Sequence, residues 1–316
     1  MSGTDCLIVM YHYVRDADAT AFPRIRALSR AMFEQQLDWL QETHTIINVT
    51  DLEAAVAGRA SLPPSAALLT FDDGFVDHYE TVYPALRRRG LNGVFFISRD
   101  ASGEAPRLLG VHQTHFLLAT LGAEAFGRAV RDACQAAYAG REPTDRAVFG
   151  VDRWDDISER AIKQLLNYEL PFEEADRVLD ALFVEHIGDP AAFARQLYLN
   201  DAMVRDMAAG GLSFGYHTRS HRMLSRLSVR EQGLEIGGGV EWLAGLTGQR
   251  TVTFCYPWGG AATYTADTVR LLRAGGYSLA FNTVRRPAAV GTDDPFELPR
   301  VDTRDLPPYT MYTARS

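Results

Sequence analysis

The chain has three cysteines in 316 residues, Cys6, Cys134 and Cys255, and they are widely spaced. That number and spacing exclude a disulfide framework and a paired-cysteine metal site. Nowhere do about 18 uninterrupted apolar residues occur, so no membrane-spanning helix is expected. Met1 to Asp5 is polar and leads only into the brief apolar run Cys6 to Val9, without the parts of a secretory signal. A basic excess is also missing: the net charge of −8 argues against nucleic acid as the main partner. Arginine greatly outnumbers lysine, and Arg87, Arg88 and Arg89 read as a solvated helix end rather than a phosphate site. Internal repeats and low-complexity tracts are absent. Together these features describe a cytoplasmic protein, and they leave its oligomeric state open.

The 47% hydrophobic content and the length suit one large α/β domain with an insertion. Leu7 to His12 reads as a buried strand ending in a histidine, and Ser29 as the N-cap of a helix to Thr43. Ile46 to Val49 is a short strand, and Thr50 with Glu53 has the spacing of a capping box. Further strands are expected over Ala66 to Phe71, Gly93 to Ser98, Leu212 to His217, Thr251 to Tyr256 and Ser278 to Asn282. Helices are expected over Val76 to Arg89, Val229 to Thr247 and Ala266 to Ala274, with a kink at Gly237 to Gly239. This alternation implies a parallel sheet or barrel. It stops between about Ser102 and Gly210, where the pattern is helical. Residues 1–101 and 211–316 are therefore assigned to the α/β domain and 102–210 to a helical insertion, a possible cap over the active site.

The chemistry concentrates where Ala66 to Phe71 runs into Asp72, Asp73 and Gly74. Carboxylates at the carboxyl end of a barrel strand lie where α/β enzymes place their catalytic groups. Successive residues of an extended segment face opposite ways, so one acid can hold a metal while the other handles a proton. His217 and His221 follow another strand and converge if that segment begins a helix. Two histidines and one carboxylate form the ligand set of a catalytic zinc site with an open position. His112 and His115, three apart, read as packing or substrate contacts, and His78, one helical turn past the Asp-Asp-Gly turn, as structural or as a support behind the site residues. Trp154, Trp242 and Trp258 are candidates for stacking on a sugar, with Trp242 assigned to the core.

Thr70-Phe-Asp-Asp-Gly74, His217-Thr-Arg-Ser-His221 and Tyr256-Pro-Trp-Gly259 resemble, in order, the motifs of the polysaccharide deacetylases, the NodB-homology enzymes of carbohydrate esterase family 4. The resemblance covers residues 5–100 and 211–302. It implies a distorted (β/α) barrel, here with the long helical insertion, and a divalent metal, zinc first with cobalt or nickel as alternatives. By position, Asp72 matches the catalytic base, Asp73, His217 and His221 the metal ligands, and the Trp258 N–H an oxyanion donor. Tyr256 and Pro257 of the third motif are candidate substrate contacts, as are His112 and His115 of the insertion. The chain departs from the pattern twice. Thr253, Phe254 and Cys255 stand where an arginine is usual, and no histidine follows His221 to serve as the acid. A branch similar to the deacetylases of poly-N-acetylglucosamine export has its acid histidine on the first strand and an arginine near the end. His12 and Arg300 match those two positions, so His12 is assigned as general acid and Arg300 as partner of Asp72. The implied reaction is hydrolysis of an N-acetyl group on an amino sugar or glycoconjugate, by base, acid and metal-activated water. The alternatives are a deformylase, a non-sugar amide hydrolase, or a catalytically silent carbohydrate-binding protein.

Overall fold

A computed structural model describes residues 4–137 and 157–309. Among them a nine-stranded sheet is formed by β1 (Thr4–Tyr11), β2 (Thr45–Ile46), β3 (Ala66–Phe71), β4 (Val94–Ile97), β5 (Ser213–Tyr216), β6 (Thr253–Cys255), β7 (Ala280–Phe281), β8 (Ala288–Val290) and β9 (Val301–Asp302). The order is β7-β6-β5-β4-β3-β1-β8, with β2 beside β3 and β9 beside β1. All pairings are parallel except that of β8 with the start of β1, a short antiparallel edge that the sequence pattern did not announce.

The sheet curls, and the segment Leu298–Asp302 ties its distant strands together. Leu298 bridges to Phe281 of β7, while Val301 and Asp302 pair with Val9 and Met10 of β1. Arg300 lies in the middle of that tie. Both faces of the sheet are buried, which is why β3 and β4 read as continuous apolar runs. On one face Tyr11, Leu69, Phe71, Phe95, Phe214, Tyr216 and Phe254 pack beneath helices. On the other, inner face Cys6, Ile8, Leu68, Phe96, Cys255, Phe281 and Leu298 make a second apolar layer. The alternation of β3 continues that inner face through Thr70 to Asp72.

The chain divides into two compact units: Met1–Asp16, Ala27–Glu104 and Leu197–Ser316 in the first, Ala17–Arg26 and Ala105–Gln196 in the second. The second is helical, with Phe116, Phe126, Val130, Leu179 and Phe183 buried. Its limits differ from those expected for the insertion for packing reasons. Phe22 packs edge-on against Phe116 and Phe193 and carries 17–26 into the helical unit. The helix Asp201–Ala209 buries Val204 and Met207 in the apolar layer of the first unit.

Local signals shifted in three places. The capping box near Thr50 is made two residues earlier, with the Asn48 N–H donating to Asp51 Oδ2 at 2.9 Å. The expected helix Val76 to Arg89 opens as a wide π-helical turn, His78–Val82, before Tyr83–Arg89. The Gly237 to Gly239 run breaks its helix rather than kinking it. Gly238 is left-handed (φ 74°), and a Cβ on Gly239 would lie 2.4 Å from Tyr216 Cδ1. Arg88 and Arg89 end their helix in ion pairs with Glu34 and Asp38, as a surface helix end should.

Close packing at β5 gives a test. A Cβ at Gly215 would lie 2.3 Å from Phe96 Cε1 and 2.7 Å from Thr253 Oγ1. Gly215→Ala should therefore lose about 1–3 kcal/mol in urea unfolding; an unchanged midpoint would contradict this packing.

Candidate active site

Asp72 follows β3 and is almost fully buried. Arg300 meets it with two parallel bonds, Nη1 to Oδ1 at 2.8 Å and Nη2 to Oδ2 at 2.7 Å. The remaining guanidinium donors reach Asn282 O (3.1 Å), Thr70 Oγ1 (3.1 Å) and Cys255 Sγ (3.0 Å). Every N–H of the fork thus has an acceptor, which is what an arginine buried at 1% exposure requires. Burial alone would raise the Asp72 carboxyl. The Arg300 charge and hydrogen bonds, helped by His12 and His217, outweigh it and hold the group below the usual carboxylate value. Asp72 is a buried carboxylate kept ionised.

Asp73, His217 and His221 converge beside it. Asp73 Oδ1 lies 3.5 Å from His217 Nε2 and 3.3 Å from His221 Nε2. The His217 Nδ1–H donates to the Cys255 carbonyl at 2.8 Å, which leaves Nε2 as a lone pair facing Asp73. Burial, then the neighbouring His221, pushes His217 down to about 4, so its ring is neutral near pH 7. Two imidazole nitrogens and a carboxylate oxygen within 4.8 Å of one another suit a divalent cation with a position left open. A backbone carbonyl orienting one imidazole is the usual support for such a ligand. Asp72, His217 and Cys255 also cluster, but the guanidinium against both Asp72 and Cys255 opposes a second cation there.

The two histidines do not meet on a helix, as their spacing suggested. They lie in a loop in which Thr218 and His221 are left-handed (φ 63° and 59°), with ring centroids 4.7 Å apart. Asp73 (φ 77°) and Trp258 (φ 66°) are left-handed as well, so backbone strain gathers at the three motifs. The loop is held by the Thr218 hydroxyl, which accepts from the His221 N–H at 2.9 Å. Glu235 accepts from the Ser220 N–H (2.9 Å) and hydroxyl (2.5 Å). Glu235 was not singled out from sequence, and Thr70 and Cys255 were read only as a member and a neighbour of motifs. The partners they meet, Ser220 for Glu235 and Arg300 for the other two, come from other elements of the chain.

His12 follows β1, its side chain 42% exposed and its Nε2 3.9 Å from Asp72 Oδ2. Trp258 is half-buried, its ring centroid 5.9 Å from that of His221. Pro257 is buried beside it. Tyr256 is a correction to the sequence reading. Its side chain lies in the apolar layer under the helices, stacked on Tyr264, with the hydroxyl donating to Phe296 O at 2.7 Å, and so it is not presented to a substrate. One step of strand alternation from Cys255 turns it to the opposite face. His112 and His115 lie in the helical unit on the helix Gly110–Leu121, rings 5.9 Å apart, with His112 buried. Trp242 packs edge-on against Tyr216 in the core, and Trp154 falls outside the described residues.

The buried pair sets a stability expectation. Arg300→Met strands the Asp72 charge and should cost about 3–5 kcal/mol in denaturant unfolding. The double variant Arg300→Met with Asp72→Asn should recover part of that loss, and a single-variant loss below about 1 kcal/mol would contradict the pairing.

Known proteins resemble this chain in sequence and in fold. The polysaccharide deacetylase family model matches residues 59–115 and 178–280, just over half of the chain. YxkH of Bacillus subtilis, a candidate polysaccharide deacetylase, is 28% identical over 103 residues, 32% of this chain and 34% of its own. The poly-beta-1,6-N-acetyl-D-glucosamine N-deacetylase of Escherichia coli K12 is 30% identical over 80 residues, 25% of this chain and 12% of its own. The matches thus span about a third or less of those relatives. Among solved structures, the Streptococcus pyogenes deacetylase PplD in complex with acetate has a TM-score of 0.58 at 16% identity, covering 95% of this chain and 92% of that one. IcaB from Ammonifex degensii has 0.55 at 21%, covering 95% and 92%. These neighbours share the curled (β/α) barrel, and the family model places the chain among the polysaccharide deacetylases.

Proposed function

We propose that this protein is a metal-dependent N-deacylase that removes an acyl group, acetyl foremost, from an amino sugar or glycoconjugate. The observation that carries the reading is the buried Asp72 carboxylate, kept ionised by Arg300, next in sequence to a second carboxylate that meets two imidazoles. Asp73, His217 and His221 would hold the cation. Zinc suits the nitrogen–oxygen donor set best, with cobalt or nickel as alternatives. When bound, such an ion lowers the pKa of water toward about 7 and polarises an amide carbonyl.

The protein's own groups do the rest. Asp72 takes the proton of the attacking water, and Arg300 keeps it ionised for that task without competing for the proton. The Trp258 N–H donates to the oxygen that becomes negative as the water oxygen bonds to the carbonyl carbon. His12, half in solvent, gives a proton to the nitrogen as the C–N bond breaks, releasing acetate and an amine. The likeness to deacetylases named for N-acetylglucosamine polymers supports an N-acetylglucosamine unit as substrate. On this reading the helical unit, with His112 and His115, serves substrate selection rather than chemistry. No helix among the described residues is long and apolar enough to cross a membrane. The described cysteines are free thiols, which suits a reducing, cytoplasmic setting.

The test is acid release from a β-1,6-linked N-acetylglucosamine oligomer by the metal-loaded protein. Acetate should appear, and Asp72→Asn should lower the rate of the folded protein about 10²–10⁴-fold. Formate from N-formyl analogues without acetate would move the reading to a deformylase. Oligomer binding with neither acid released would leave a silent binding protein.

A further inference from the structure

His12 presents a problem that the site alone does not solve. Its ring is 42% exposed and 3.9 Å from Asp72, and no hydrogen bond to that ring is found among the described residues. An exposed ring of this kind samples several rotamers, and these reach the site only if the backbone that carries the ring is held in place. Whatever sets it must therefore act on the main chain.

The helical turn after the base holds the main chain at His12 and Val14 and the side chains of Tyr13 and Arg15, whose own main chain pairs with Leu28. His78 Nε2 lies 2.9 Å from the His12 carbonyl oxygen. A carbonyl only accepts, so this nitrogen carries the proton and donates. Tyr13 stacks on Phe75, centroids 3.9 Å apart. Asp77 Oδ2 accepts from the Val14 N–H at 3.1 Å and from Arg15 Nε at 2.7 Å, while Arg15 Nη2 pairs with Oδ1 at 2.6 Å. The loop bearing the acid is thus docked on residues that follow directly from the base.

His78 is a costly residue for a merely structural place. It is fully buried, and its ring lies 5.5–5.8 Å from the rings of Phe71, Phe75 and Phe95. Burial lowers its pKa and keeps it neutral, and its Nδ1 has no hydrogen-bond partner among the described residues. An apolar side chain would fill an aromatic cage without leaving that nitrogen unsatisfied. What a hydrocarbon could not do is hold the His12 carbonyl. The π-helical turn that begins at His78 is an irregularity often found at functional sites.

We propose that His78 is a positioning residue: its Nε2–H, with Asp77 gripping Val14 and Arg15, fixes the His12 main chain so that the imidazole can reach the leaving nitrogen. This rests on the reading of His12 as general acid. Misplacing an acid matters for an amide, whose amine must leave protonated, and little for an aryl ester, whose phenolate leaves without a proton.

The experiment compares His78→Phe, which fills the cage but cannot donate, with His78→Gln, which can donate. Each is assayed on the β-1,6-linked N-acetylglucosamine oligomer and on 4-nitrophenyl acetate. His78→Phe should lower kcat on the oligomer about 10–100-fold with KM little changed, and leave ester turnover and metal content nearly intact, while His78→Gln recovers much of the loss. Equal losses on both substrates, no loss on either, or no recovery by His78→Gln would overturn the proposal. His12→Ala separates the two ideas. If it leaves oligomer turnover unchanged, the assignment of the acid fails; if it lowers turnover while His78→Phe does not, only the positioning role fails. Amide hydrogen exchange across His12–Arg15 reads the clamp without any turnover. It should quicken in His78→Phe and return in His78→Gln, and equal exchange in all three proteins would overturn the proposal.

Discussion

The buried pair of Asp72 and Arg300 is the interaction on which the site rests. A carboxylate at the end of β3 is surrounded by an inner layer of Phe96, Cys255 and Phe281, where an isolated charge would be very costly. A five-donor fork that finds an acceptor for each N–H makes the burial tolerable. Arg300 can be there only because Leu298–Asp302 bridges β7 and β1. The device that draws the sheet together is thus also the device that keeps the Asp72 carboxylate ionised. Removing the arginine should disturb architecture and chemistry at once.

Around this pair the backbone is held where side chains rarely allow it. Asp73, Thr218, His221 and Trp258 all have left-handed φ, and each belongs to or adjoins a residue that faces the site. The strain persists because the flanking loops are over-determined. Glu235 fastens Ser220, the Thr218 hydroxyl fastens His221, and Thr283 fastens the turn after Trp258 through its N–H to the Gly259 carbonyl at 2.9 Å. A Cβ on Gly259 would come within 2.5 Å of Thr283 Cγ2, so this turn needs glycine twice over, for its φ of 66° and for space.

Much of the arrangement was legible in the sequence because it rests on local patterns. Apolar runs ending in Asp72 and His217 announced buried strands, and strands alternating with helices announced the parallel sheet. Arg300 was found through resemblance, since no periodicity reveals which surface or core group a late arginine will meet. What stayed hidden depends on tertiary approach. Tyr256 lies within a motif, yet one step along the chain turns it to the opposite face from Cys255. The convergence of His217 and His221 was anticipated, but it is produced by two left-handed turns rather than by a helix. His78 was read as structural or as a support behind the site residues, but the group it holds was hidden, since its partner is a carbonyl 66 residues away in sequence. Residues 17–26 joined the helical unit because Phe22 finds aromatic neighbours there.

On the proposed reading, Asp73, His217 and His221 hold a catalytic cation. The most direct measurement is the metal content of the purified protein beside that of His217→Ala, by mass spectrometry of the elements. About one zinc, cobalt or nickel per chain is expected in the parent and little in the variant. No bound metal in either protein, even after reconstitution with each ion, would contradict it.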